Sequence, residues 1–203
     1  ADCWEEIIRT AHDVGIPSTA TIMYGHVDEP RHWAAHIALL REIQKDTGGF
    51  TELVPLSFVH TDSPLFLNNP NSVRPGPTDH EVDLMHSVSR IMLNGFIDNI
   101  QVSWTKLGAE RARNMLSLGV NDLGGTLMNE SISRSAGSKH GQEITAAELC
   151  EIIRSAGRIP VRRNTIYKTI DIYKDHDPID VVPLVERKSD PLNFLKMFPE
   201  TAE

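Results

Sequence analysis

Val120-Asn121-Asp122-Leu123-Gly124-Gly125-Thr126-Leu127-Met128-Asn129-Glu130-Ser131-Ile132-Ser133-Arg134 is the stretch that decides how this chain is read. An apolar segment passes directly into two glycines and then into polar groups, which is how a strand delivers a ligand-binding turn. Val120 and Leu123 supply the apolar part. Gly124 and Gly125 remove side-chain bulk so that backbone N–H groups can approach a ligand, and Asn121, Asp122, Asn129 and Glu130 supply donors and acceptors. On these residues alone, a plain glycine turn after a buried strand stands beside the ligand-binding reading.

Outward from that stretch, strand-like and helix-like patterns alternate, the signature of parallel β/α structure. Strands are predicted over 18–24, 51–58, 99–104 and 120–124, each followed by a polar loop and a helical pattern. Trp33, Ile37 and Leu40 share one helical face, as do Ala146, Leu149 and Ile153, and such stripes face a core. Thr78 with Glu81 and Thr145 with Glu148 form capping boxes that fix two helix starts. The loop 61–77, with four prolines, reads equally as an active-site cover and as a surface excursion. Residues 159–167 look strand-like. From 171 to 203 the chain is charged and interrupted by Pro178, Pro183, Pro191 and Pro199, an extended tail with an appendage packed by Leu192, Phe194, Leu195 and Phe198.

Composition narrows the class. A chain of 203 residues with 40% hydrophobic residues can bury a sizeable core as one domain. With 28 Asp and Glu against 20 Lys and Arg, the net charge of -8 offers no basic stripe for a phosphate backbone, so nucleic acid is not an expected partner. Cys3 and Cys150, far apart in sequence, suggest neither a disulfide framework nor a cysteine-rich metal site, and a reducing, cytoplasmic setting is expected. No apolar run reaches the roughly 18 to 20 residues of a membrane span. The chain opens inside a helical pattern of Trp4, Ile7, Ile8 and Ala11, an abrupt start that predicts a fragment.

Ligands of parallel β/α proteins gather where strands end. The residues there are Gly25, His26, Val27 and Asp28; His60, Thr61, Asp62 and Ser63; Thr105 and Lys106; and the glycine turn with Glu130. A histidine and several carboxylates on one rim can serve acid/base steps, although a loop histidine is often merely solvated. His32 and His36 have the helical spacing of a metal pair, but residue 33 is Trp where a zincin has Glu, so no metal ligand is assigned. Ser103, Ser117 and Ser131 lack a nucleophile elbow. The residues by themselves define a β/α ligand-binding enzyme, with a non-catalytic ligand-binding or regulatory fragment as the rival.

The strings TATIMYGHVDEPRHWAAHIALLREIQKDTGGFTELVPLSFVH, RPGPT, IQVSWTKLG and NDLGGTLMNESISRSAGSKHGQ resemble the FO synthase family of radical S-adenosylmethionine enzymes in deazaflavin biosynthesis, in its second subunit or the carboxy-terminal half of the fused form. Menaquinone-pathway relatives, aminofutalosine synthase and the dehypoxanthine futalosine cyclase, share the GHV and TGGF segments. The NDLGGT and ESIS positions favour the FO synthase pattern. The resemblance implies an α/β chain forming the second half of a (β/α) TIM-type barrel, about four βα units over 1–167, with a carboxy-terminal extension over 168–203. Its cofactors would be S-adenosylmethionine and a 4Fe-4S cluster, whose CxxxCxxC ligands are absent here and would lie in an amino-terminal half. A 5′-deoxyadenosyl radical would attack L-tyrosine, and the 4-hydroxybenzyl unit would join 5-amino-6-(D-ribitylamino)uracil, giving the intermediate closed to FO by a partner activity.

Residue roles follow from the same resemblance. Thr21, Met23, Gly25 and Asp28 lie where such barrels show GxIxGxxE, with Thr, Met and Asp departing from it, and would border S-adenosylmethionine. Asp28 is alternatively a helix cap beside Pro30. Asn121, Asp122, Gly124 and Gly125 would also border the cofactor, with Asn121 or Asp122 bonding sugar or ribityl hydroxyls. His60 and Glu130 would move protons or orient substrate. Ser131 and Arg134 would bind substrate, although Arg134 also stands i,i+4 from Glu130. Ile22, Leu53, Val102 and Leu123 are expected to face the other half of the barrel, so that the isolated chain would aggregate or dimerise.

Because the cluster thiolates are not in this sequence, the 203-residue chain alone is expected to bind no four-iron cluster and to leave S-adenosylmethionine uncleaved. Anaerobic reconstitution with iron analysis and 5′-deoxyadenosine detection checks this.

Overall fold

In β1 (Ser18–Tyr24) the side chains alternate across the strand, with Ala20, Ile22 and Tyr24 buried and Thr19, Thr21 and Met23 exposed. The apolar side lies against the long helix α2 (Pro30–Thr47), which buries Trp33, Ile37, Leu40 and Ile43. Tyr24 and Trp33 meet edge to face at 5.6 Å. The computed structural model describes residues 2–127, 130–141 and 143–174, so the predicted tail beyond 174, with Leu192, Phe194, Leu195 and Phe198, lies outside the described residues.

β2 (Phe50–Ser57) pairs parallel with β1 in a register that sets Thr19 opposite Glu52, Ala20 opposite Leu53 and Tyr24 opposite Ser57. The next two neighbours also run parallel, each joined by one bridge, Leu53 to Ile100 and Gln101 to Asp122. Leu53 N–H donates to Asn99 O at 2.9 Å, and Val102 N–H donates to Asp122 O at 3.0 Å. The four segments are therefore neighbours in chain order, a mixed α/β architecture of successive parallel units. Helices α3 (Pro64–Asn68), α4 (Asp79–Leu93), α5 (Trp104–Leu107), α6 (Ala109–Met115), α7 (Ile132–Ser135) and α8 (Ala146–Ser155) follow the strands. The short helix α1 (Asp2–Asp13) precedes β1, and an antiparallel hairpin of β3 (Val161–Arg163) and β4 (Thr169–Ile172) follows α8.

Both expected capping boxes form. Thr78 accepts from Glu81 N–H and Thr145 from Glu148 N–H, and each carboxylate returns to the cap backbone. The expected third and fourth strands are shorter than predicted, limited to Ile100–Gln101 and Asp122. Trp104, placed at the end of the third, instead begins α5, where Gly108 N–H donates to Trp104 O at 2.7 Å. At the fourth, Gly124 has φ +75 and turns the chain out of the strand.

The loop 61–77 is tied down. It contains α3, buries Val73, and donates Arg74 N–H to His26 O at 2.8 Å, while the Arg74 guanidinium pairs with Glu81 at the start of α4.

One expectation fails by parity. Ile22, Leu53, Val102 and Leu123 are buried against the helices and belong to the core cluster. Side chains alternate with period two along a strand, so the residues on the opposite face are their neighbours, Thr21 and Met23 among them. Met23 is 50% exposed and Leu53 is 0% exposed. Leu53→Ala is therefore expected to lower stability by about 2–5 kcal/mol, whereas Met23→Ser changes it by less than about 1 kcal/mol and reduces self-association. Urea unfolding and light scattering separate the two.

Candidate functional site

The end of β1 is organised by Asp28. Its carboxylate accepts Gly25 N–H at 2.9 Å and His26 N–H at 2.9 Å, together with short contacts from the His26 ring and Trp33 Nε1. Burial pushes this carboxyl up, but the donors from Gly25, His26 and Trp33 outweigh it and hold the group well below the usual carboxylate range. Asp28 thus anchors the turn before α2 without capping it: the cap is Glu29, boxed with His32, so the capping alternative expected of Asp28 does not form. Gly25, at φ +91, was expected to leave room for a ligand. A Cβ there would strike Pro77 and Gly76, which fill the space. Thr21 and Met23 remain exposed on the face of β1 opposite α2.

The ends of the second and third strands are drawn together by the segment 130–138. Asp62 N–H donates to Ala136 O at 2.9 Å, and Ser138 Oγ donates to Thr105 O at 2.8 Å. A side chain at Gly137 would strike Thr61, so that approach requires glycine. Lys106 Nζ donates to Ser133 Oγ at 3.2 Å, and burial lowers its pKa against the opposing charge of Glu130. Glu130 itself accepts Ile132 N–H at 3.1 Å and Ser133 N–H at 2.9 Å, which holds the start of α7. His60 is half-buried with its ring edge to face on Phe66 at 5.0 Å. Ser131 and Arg134, just after Glu130 in the chain, are exposed, the first as the cap of α7 and the second on it.

At the glycine turn the polar groups are largely engaged within the fold. Asn121 Oδ1 accepts Ile100 N–H at 2.9 Å and Arg90 Nη2 at 2.8 Å, and its Nδ2 donates to Asp98 O at 3.1 Å. Asp122, 9% exposed, accepts Gly124 N–H at 2.6 Å and both Nε and Nη2 of Arg163. The hydroxyl-binding role expected of Asn121 or Asp122 thus meets side chains whose acceptors already hold the sheet and the turn. The glycines differ: Gly124 needs its left-handed φ, and a Cβ there would lie 3.0 Å from the Gln101 side chain, whereas a Cβ at Gly125 would meet open space, with the Gly125 carbonyl accepting Trp104 Nε1 at 3.3 Å. Beside this turn runs a groove of about 1010 Å³, lined by Val120, Leu123, Leu149, Cys150, Ile153 and Val161 among others.

Sequence reasoning missed Glu52, Arg163 and Tyr167. Glu52 lies opposite Thr19 on the sheet face turned away from α2 and is 7% exposed. Burial pushes its carboxyl up, opposed by a hydrogen bond from the Tyr167 hydroxyl. A glutamate directly before the apolar run Leu53-Val54-Pro55-Leu56, within the same predicted strand, was the available signal. The Arg163–Asp122 pair joins residues 41 apart in sequence and had none.

His32 Nδ1 accepts Glu29 N–H at 3.0 Å, and His36 Nε2 lies 3.1 Å from Thr21 O. Cys3 is exposed on α1 and Cys150 is buried on α8. Among the described residues no helix is long and apolar enough to cross a membrane.

Successive parallel β/α units with polar loops gathered at the strand ends define the class, a mixed α/β protein. The model of a family described as the CofH/MqnC C-terminal region matches residues 47–176, and the chain belongs to that family. It is 56% identical over 164 residues to the FO synthase of Mycobacterium leprae, covering 81% of this chain and 19% of that protein. It is 53% identical over 185 residues to the FO synthase of Nocardia farcinica, covering 91% and 21%. To the 5-amino-6-(D-ribitylamino)uracil--L-tyrosine 4-hydroxyphenyl transferase of Methanopyrus kandleri it is 51% identical over 173 residues, covering 85% and 46%. The chain therefore spans half or less of the length of these relatives.

The two glycines give a discriminating pair. Gly124→Ala is expected to cost about 1–2 kcal/mol of stability through its left-handed φ, while Gly125→Val stays folded and weakens ligand binding. Unfolding curves and equilibrium binding of S-adenosylmethionine and the diaminouracil, measured in the full-length protein, check both. Normal affinities in folded Gly125→Val make Gly124-Gly125 a structural turn only.

Proposed function

We propose that this chain is the carboxy-terminal half of an FO synthase-type radical S-adenosylmethionine enzyme. Residues 1–167 then supply the second half of a (β/α) barrel and residues 168–203 an extension. The observation that carries this reading is the 51% identity to the Methanopyrus kandleri transferase, which covers 46% of that protein and 85% of this chain. The architecture fits it. Asp122 lies at the last of the four parallel neighbours, with the groove of about 1010 Å³ beside it, a place for a further strand from the rest of the barrel.

The substrates on this reading are L-tyrosine and 5-amino-6-(D-ribitylamino)uracil, the product passes to the partner FO synthase activity, and the setting is cytoplasmic. S-adenosylmethionine with a 4Fe-4S cluster supplies the radical chemistry when bound. The cluster does not fit the donors here: one cysteine is exposed on α1, the other buried on α8, and among the described residues no group of three or more His, Cys, Asp or Glu is placed to hold a metal. Its ligands belong to the amino-terminal half.

The residues of this chain bind and orient. Thr21 and Met23 face the cofactor from the concave side of β1, while Asp28 acts on it indirectly by fixing the Gly25 turn. Asn121 and Asp122 shape the glycine turn, and the backbone of Gly124 and Gly125 approaches the ligand. His60 and Glu130 stand at the rim for proton transfer or orientation, with Glu130 also holding α7. Ser131 and Arg134 take the polar groups of substrate. The full-length protein, reconstituted anaerobically, is expected to convert tyrosine and the diaminouracil to the coupled product, read by mass spectrometry. Cleavage of S-adenosylmethionine without that product overturns the assignment.

A further inference from the structure

The β3–β4 hairpin closes with a turn held by its own backbone and by one side chain. Asn164 N–H donates to Lys168 O at 3.0 Å, and Asn164 Oδ1 accepts Ile166 N–H at 3.1 Å and Lys168 N–H at 2.9 Å. Within this turn Tyr167 takes φ 61, the left-handed region that a bulky residue rarely enters. That conformation has a visible result. The Tyr167 ring lies under the Arg163 guanidinium, 4.2 Å from its centroid, while its hydroxyl bonds to Glu52 on β2.

Arg163 is thereby aimed at Asp122. It gives Nε to one carboxylate oxygen and Nη2 to the other at 3.0 Å, the two-pronged arrangement that fixes a carboxylate's rotation as well as its position. The same Oδ1 that takes Nη2 also accepts Gly124 N–H at 2.6 Å. The loop from Asp122 to Gly124 is an Asx turn whose side chain is set from outside, by a residue 41 positions further along the chain.

We propose that Arg163 is a positioning residue for the Gly124-Gly125 turn, acting through Asp122, so that the carboxy-terminal hairpin controls how the turn receives its ligand. This deepens the proposed function and rests on its placing of ligand at that turn. The chemistry suits arginine in particular, because lysine can satisfy one oxygen but cannot fix the plane.

The test uses the full-length enzyme, with Arg163→Gln, Arg163→Lys and Tyr167→Leu, the last removing the stacked ring and keeping the ion pair. Amide exchange over 120–127 is expected to rise about tenfold in Arg163→Gln, with α2 unchanged, and less in the other two variants. KM for the diaminouracil or S-adenosylmethionine is expected to rise about tenfold with kcat within about twofold, as for lost uniform binding, and Arg163→Lys should restore part of it. If Arg163→Gln proves unfolded, Tyr167→Leu carries the same readouts. Unchanged exchange over 120–127, or a rise shared equally by α2, overturns the proposal. So does local exchange without any change in KM. Gly125→Val separates the two failures: if it raises KM while the Arg163 variants do not, the ligand is at the turn and Arg163 is irrelevant to it; if neither does, the placing of the ligand is wrong.

Discussion

Everything in this chain depends on the parity of its parallel strands. Once Ala20, Ile22 and Tyr24 face α2, the period of two commits Thr19, Thr21 and Met23 to the other side. The register carries that choice to the next strands, from Ala20 to Leu53 and from Leu53 to Ile100. One face of the sheet becomes an aliphatic and aromatic layer sealed by helices. The other carries Thr19, Glu52, Gln101 and Asp122, and it is there that the hairpin places Arg163 and Tyr167.

Much of this was legible in the sequence because it is local. β1 begins and ends where its alternation predicts, both capping boxes form between residues three apart, and Trp33, Ile37 and Leu40 are buried as their spacing requires. The third and fourth strands were overextended. Apolar residues continue through Trp104, but hydrogen bonding from Gly108 and Leu107 makes a helical turn there. The face assigned to Ile22, Leu53, Val102 and Leu123 was wrong because a sequence gives the period of a strand without saying which side a missing neighbour will occupy.

The candidate site was legible in its location more than in its roles. Strand-end loops do gather, with segment 130–138 drawn against Thr61, Asp62 and Thr105. Yet the acidic residues that looked available hold the backbone. Asp28 collects the amides of Gly25 and His26, Glu130 those of Ile132 and Ser133, and Asp122 that of Gly124. A carboxylate beside a turn has unbonded N–H groups within reach before any ligand arrives, and a motif cannot display that competition.

The close approach of Pro77 to Gly25 ties two loops into a single steric unit. A side chain at position 25 has nowhere to go while Gly76 and Pro77 occupy their places. The loop in turn is held by Arg74, bonded through its backbone to His26 and through its guanidinium to Glu81. A side chain at the end of the first strand therefore requires the loop after the second to be rebuilt with it, so the two segments are constrained as one.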